Sequence, residues 1–398
     1  MRLPLIRSFT GLVALALVAG APEAVAVEAA TLSASTADAM AQAATPQAIA
    51  EYRRKLREYQ EARSAFEEEA GAYWSAIAEK RRTRNAKRRD RQPIALDDYV
   101  LDQPPVYTGP KRPVNPEPEE EEEPSRPRKT IPVVADFLKA AAEQFQFTPQ
   151  RPASEVEFKR AYARYALAAG LTREQAIRVY SFETGGNGNH DMQSGYRGPG
   201  TRAISTAIGY NQLLTTNTVE LIAQQGPEFI KALTQKAAML SGPARKAMDH
   251  KLAVLKKMVA FARTVPDDWS AHERLASTPQ GWAVHAMVLD IDVGPMLQTH
   301  KLLTSVIFAR DKGYTRSLSA AELEMMNLTG DGTGFDMVTM PQAMREKVPT
   351  SNFFQRGGYE RNPVAIRHNT VAKLLAVTDE RMDFNSNKPG AKELASVF

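Results

Sequence analysis

The stretch TREQAIRVYSFETGGNGNHD, Thr172 to Asp191, decides how the rest of this chain is read. Thr172 is a helix cap, and Gln175 three residues later completes a capping box. Ala176, Val179, Tyr180 and Glu183 then follow at i, i+3, i+4 and i+7, so they share one helix face. Gly185-Gly186 ends the helix directly after Glu183. A glutamate that continues an apolar stripe is partly desolvated, and desolvation disfavours its charged form. A carboxylic acid that keeps its proton near neutrality is what a general acid requires. The same spacing also accommodates a glutamate that reaches past the helix end into water.

Around this helix, from about residue 131 to the C-terminus, apolar residues recur at helical spacing. Examples are FLKAAAEQF, EFKRAYARYALAAG, FIKALTQKAAML and HKLAVLKKMVAFA. Alternation of the strand kind is scarce, so the expected fold is mainly α, with one domain over 131–398. The preceding region reads differently. MRLPLIRSFTGLVALALVAGAPEAVAVEA has Arg2 and Arg7, a short apolar run and the small-x-small triplet Ala24–Ala26, which is the pattern of a cleaved export signal over 1–26. The run is too short for a stable membrane span, which needs about 20 residues.

Residues 27–91 are expected to be helical and charged. Thr45-Pro46 opens a helix. Ile49, Tyr52, Leu56, Tyr59, Phe66, Tyr73 and Ile77 then fall on a and d positions of a heptad, with Arg63 and Ala70 at the weak a sites. That stripe predicts either a coiled-coil or hairpin partner, and so a protein partner for this helix, or an amphipathic helix lying on its own chain. The basic run KRRTRNAKRRDR at 80–91 has no interleaved aromatics, so no base-stacking nucleic-acid surface is expected. Residues 92–130, rich in proline and carrying EPEEEEEP, are expected to form an extended, disordered linker.

The 398 residues contain no cysteine, which excludes disulfides, thiol catalysis and a lipid-modified cysteine. The net charge of +5 suits an acidic polymer as partner. The six histidines show no HExxH spacing, there is no nucleophile elbow and no phosphate loop, and TGDGTGFD at 329–336 lacks the ligands of an EF-hand. No metal and no cofactor are therefore expected, and TGDGTGFD reads as a glycine-rich turn. NFFQRGGYERNP at 352–363 reads as packed aromatics closing the domain.

Downstream of the glutamate, ISTAIGYNQLL at 204–214 places Gly209 before Asn211 and Gln212 in an apolar run. The glycine permits close backbone approach and the amides offer donors and acceptors to a sugar. Three landmarks, in order, resemble the lytic transglycosylases of the lysozyme-like superfamily. Glu183-Thr184 stands where the family has its catalytic glutamate and serine. Gly209-Tyr210-Asn211-Gln212 matches Gly-x-x-Gln. Met326-Asn327, with Gly330 one residue late, stands where the family has Tyr-Asn before a small residue and glycine. Met326 lacks the family's phenol, for which Tyr180, Tyr196 and Tyr359 are the candidate substitutes.

The resemblance covers roughly residues 160–340. It implies a lysozyme-like catalytic domain acting on peptidoglycan glycan strands in the periplasm. Glu183 would be acid and then base in forming a 1,6-anhydro product from the bond between N-acetylmuramic acid and N-acetylglucosamine. Thr184, Tyr210, Asn211, Gln212 and Asn327 would meet the substrate. Two other readings stand beside it. One is a hydrolase resembling goose-type lysozyme, with Asp191 activating water. The other is a non-catalytic wall-binding or scaffold protein.

Overall fold

The computed structural model describes residues 45–117, 130–198 and 200–398. The expected export signal at 1–26, the stretch 27–44 and most of the acidic run lie outside the described residues. The described residues form sixteen α-helices with isolated β-bridges and no strand, in two compact units, one within 14–130 and one over 131–398. Among them no helix is long and apolar enough to cross a membrane.

The first unit is built on α1 (Pro46–Arg89). Thr45 caps it by accepting from the Ala48 N–H, Pro46 occupies its first turn, and Lys87, Arg88 and Arg89 complement the negative end of its dipole. Its buried residues are Ala70, Ile77 and Arg84, spaced by seven along the heptad stripe. That stripe is covered from within the same unit. The proline-rich segment after α1 turns at Asp90–Gln92 and runs back along it. Lys87 pairs with Asp98 at 2.7 Å, Arg84 donates to the Asp98 carbonyl at 3.0 Å, and the Arg84 guanidinium lies over the Tyr99 ring. Further back, the Tyr73 hydroxyl donates to the Asp102 carbonyl, and Tyr107 packs edge-on against Tyr59 and Phe66. The extended linker expected from 92 onward is therefore packed through Tyr107. Apart from a 3-10 turn at Leu96–Asp98, the proline-rich segment stays extended, which leaves it free to place its aromatics on the stripe. Part of the basic run is spent in the same contacts.

The second unit begins with α2 (Val134–Phe145) and α3 (Glu155–Ala169), the latter capped by Ser154 and ended by Gly170 at φ +98°. Next comes α4 (Arg173–Thr184), with the Thr172–Gln175 capping box and Gly185 in the left-handed region, as its sequence predicts. The loop from 185 to 214 carries two bridges, Gln193 with Ile208 and Ile208 with Leu213. Then α5 (Thr215–Ala238) and α6 (Gly242–Ala262) form a helical pair. Gly226 allows their close approach, because a Cβ there would lie 2.3 Å from a Val259 methyl. Two short helices, α7 (Trp269–Ala276) and α8 (Pro279–His285), lead through a 3-10 turn at Ala286–Leu289 into α9 (Gly294–Asp311).

The main core joins α2, α5, α6, α8 and the start of α9, with Phe137, Phe229, Leu255, Met287 and Leu297 fully buried. Every residue of α9 from Gly294 to His300 is buried, so this helix runs through the middle of the unit. A buried ion triad fixes α6 to the turn before α9. Lys251 pairs with Asp290 at 2.9 Å and with Asp292, and Asp290 also accepts the backbone N–H groups of Gln150, Asp292 and Val293.

Beyond α9 come α10 (Ala320–Thr329) and α11 (Asp331–Thr339), broken only by Gly330 at φ +84°. The expected turn at TGDGTGFD is thus a helix break followed by a helix. Gly334 lets α11 press on α10, since a Cβ there would lie 2.4 Å from the Met326 Cα. Short helices α12 (Gln342–Arg345), α13 (Arg356–Glu360) and α14 (Pro363–Arg367) follow. Phe353, Phe354 and Tyr359 are buried there, which makes NFFQRGGYERNP a packing segment. Last, α15 (Val371–Ser386) and α16 (Pro389–Ser396) close over α4.

Candidate functional site

The C-terminal end of α4 is held from several sides. Arg178 pairs with Asp379 and Asp383 of α15, and Gln175 donates to the Leu318 carbonyl before α10 at 2.9 Å. Gly186 has no room for a side chain, because a Cβ would lie 2.2 Å from the Asn385 carbonyl of α15. These contacts fix where Glu183 can point.

Glu183 is half-buried, and the Asn327 amide of α10 donates to its Oε1 at 3.3 Å. The same Asn327 nitrogen lies 3.5 Å from an oxygen of Glu324, one turn earlier on α10. Glu324 is 2% exposed. One amide therefore reaches two carboxyl groups. Burial raises Glu183 from 4.5 to about 7, against the opposing pull of Lys301, Arg381 and the Asn327 bond. Burial and the nearby Glu183 charge push Glu324 well above the carboxylate range. Two like charges this close do not ionise together, so the pair retains a proton near neutrality.

The cations stand back from the pair. Lys301 projects from α9, and its charge also acts on Glu220 of α5 and Asp331 of α11. Arg381 of α15 is exposed and lies over the ring of Phe182, beside Glu183. The chemical capacity of the group is that of a partly exposed acid. It has a buried proton-holding neighbour and one amide donor.

The other residues singled out from sequence are placed as follows. Asn327 is at the acid itself. Thr184 donates its hydroxyl to the Tyr180 carbonyl at 2.7 Å, so that group stabilises the last turn of α4. Tyr210 and Asn211 are fully buried and face inward, which removes them from the candidate substrate contacts. Tyr210 donates to Glu155, while Asn211 donates to Tyr162 and to the Gln298 carbonyl, and its backbone N–H donates to the Gln298 side chain. The close approach that Gly209 permits is to Gln298, whose amide nitrogen would lie 2.0 Å from a Cβ. Gln212 is held at φ +43°, a strained value for a residue with a Cβ, and donates to the Gly209 and Met192 carbonyls.

Asp191 is paired with Arg151, which also reaches His190. His190 in turn bonds Glu155. Burial alone would raise Glu155, but the bonds from His190 and Tyr210 hold it below the usual range. Of the tyrosines considered as replacements at Met326, Tyr180 donates to the Gly188 carbonyl and Tyr359 packs on Phe354. Met326 is fully buried against α11. A shallow cavity of about 550 Å³ between α3 and α16, lined by Val156, Arg160 and Glu393, shares no residue with the Glu183 group.

Sequence reading missed Glu324, Lys301 and Arg381. Glu324 carried a usable signal, as a charged residue inside the apolar run LEMM and on the same face as Asn327. No family model matches the chain, and no curated protein or solved structure is significantly similar to it.

Proposed function

We propose that residues 131–398 form a lysozyme-like domain that cleaves peptidoglycan glycan strands by lytic transglycosylation, with Glu183 as acid and then base, in the periplasm. The observation that supports this best is the group Glu183–Asn327–Glu324. It provides a carboxyl that is partly accessible to substrate yet keeps its proton to about pH 7.

In this reaction Glu183 donates its proton to the oxygen between N-acetylmuramic acid and N-acetylglucosamine, and that bond breaks. The substrate's own N-acetyl oxygen supports the anomeric carbon, so no second carboxylate is required as nucleophile, in contrast to ordinary glycosidases. Ionised Glu183 then accepts the proton of the sugar's 6-hydroxyl, whose oxygen closes the 1,6-anhydro ring. The proton returns to Glu183 and no water is consumed. Glu324 stays neutral and keeps the acid's proton affinity high, and Asn327 fixes its direction. The ion pair of Asp191 with Arg151 counts against a hydrolase that uses Asp191 as base.

A non-catalytic glycan-binding role is the second reading. It is favoured by Met326, an apolar and fully buried side chain where the resembled family has a phenol beside the acid. Digestion of purified peptidoglycan by wild type and Glu183→Gln, with products read by mass spectrometry, separates the two. Anhydro-muropeptides from wild type alone support the transglycosylase. Reducing-end products would replace it with a hydrolase, and wall binding with no released product by either protein would replace it with the binding role.

A further inference from the structure

A second polar cluster lies between α5 and α7. Glu220 of α5, Asp267 in the loop before α7 and His272 of α7 each place one ligand-type atom within 4.8 Å of the other two. An equilateral triangle of that edge has its centre about 2.8 Å from each atom, so a closure of well under 1 Å reaches ordinary metal–ligand lengths. The three side chains differ in exposure. Glu220 is half-buried, Asp267 faces solvent and His272 is 1% exposed.

His272 is the observation that an acidic cluster alone would lack. Neither of its ring nitrogens has a hydrogen-bond partner. The other buried histidines are treated differently. His285 bonds Thr218 with one nitrogen and the Thr206 carbonyl with the other, and His300 bonds Tyr165. A buried imidazole with both nitrogens unpaired is costly. Here one of them lies within 4.8 Å of a carboxylate oxygen of Glu220 and of Asp267. Asp267 is held in place by Gln224, one turn beyond Glu220 on α5, which donates to it at 3.0 Å. That is the kind of outer support that orients a metal ligand.

We propose that Glu220, Asp267 and His272 bind one divalent transition-metal ion, of the zinc or manganese class, that ties α7 to α5. One imidazole nitrogen with two carboxylate oxygens matches the donor preference of these ions and is poor for magnesium, which takes oxygen ligands and keeps its waters. Three protein ligands leave coordination positions open on the Asp267 side, which faces solvent.

The test is titration of the chelator-stripped full chain with zinc chloride alone. Calorimetry would give affinity and native mass spectrometry the stoichiometry. The expected result is one ion per chain and an unfolding midpoint that rises with zinc. Asp267→Asn, a change at an exposed position that leaves the core intact, and His272→Gln are each expected to weaken binding by tenfold or more. Glu183→Gln is expected to bind zinc as wild type does. Absence of stoichiometric binding, or binding unchanged in both Asp267→Asn and His272→Gln, overturns the proposal.

Discussion

Two pairs of acidic side chains within residues 131–398, each with one fully buried member, Asp290 or Glu324, are supplied with very different partners. Asp290 and Asp292 share Lys251, with Lys236 also on Asp292 and three backbone N–H groups on Asp290. Glu183 and Glu324 share one side-chain amide, and the cations Lys301 and Arg381 act from further away. The first arrangement joins α6 to the turn before α9 and holds Asp292 below the usual carboxylate range, although burial outweighs Lys251 at Asp290 and raises it. The second leaves charge unmatched and so retains a proton. Burial acts on both, and the difference is the number and kind of donors supplied. A paired site supports structure, whereas an under-donated one provides an acid.

The largest expected effect breaks the comparison on the acid side. Glu183→Gln keeps the shape and the Asn327 contact but has no proton to give. Glycan cleavage is expected to fall by roughly 10²–10⁴-fold, measured as product release from purified peptidoglycan, with the fold intact. Next in size is the structural pair. Lys251→Met leaves two buried carboxylates without their shared cation, and is expected to cost about 3–5 kcal/mol in denaturant unfolding. Glu324→Gln is expected to leave stability nearly unchanged, because it replaces a buried carboxyl that already keeps its proton by a neutral amide of the same shape. If both variants lost stability equally, the distinction between the pairs would disappear.

Linkage gives a further consequence. The unfolded chain releases the Glu183 proton near 4.5 and the folded chain near 7, so between those values the folded state holds more protons and stability falls as pH rises. That contribution is complete below 4.5 and is lost as pH passes 7. Melting curves of wild type and Glu183→Gln over this range are expected to differ in slope, with the variant flatter. The smallest effect concerns Arg381, an exposed cation open to screening by salt. Arg381→Gln is expected to move the alkaline limb of the cleavage profile upward by less than about one unit, since a cation that favours ionised Glu183 has been removed.

How much of this was legible in the sequence differs between the same regions. The Thr172 cap, the stripe through Tyr180 and the glycine stop are local features of α4, and local pattern placed Glu183 correctly at the helix end. Asn327 was reached through resemblance, as a substrate contact, whereas it bonds the acid directly. Glu324 was missed because its significance comes from α10 meeting α4, a contact between distant segments. Tyr210 and Asn211 were misread for a related reason. Gln298, nearly ninety residues away, fills the space that Gly209 leaves open. In the first unit, proline and charge pointed to extended chain after residue 92, where the structure has one 3-10 turn at Leu96–Asp98 and otherwise no helix among the described residues up to 117. They gave no warning that Tyr99 and Tyr107 would settle on the stripe of α1, although aromatics in a segment expected to stay in water were the signal available.

The most direct test of the central claim is a carbon-13 NMR titration of the glutamate side-chain carboxyls in the folded chain, with the Glu183 resonance assigned by its loss in Glu183→Gln. This carboxyl is expected to titrate with a midpoint near 7. A midpoint close to 4.5 would show that the carboxyl is as well solvated as an ordinary surface glutamate, and would contradict the reading of Glu183 as an acid poised by its surroundings.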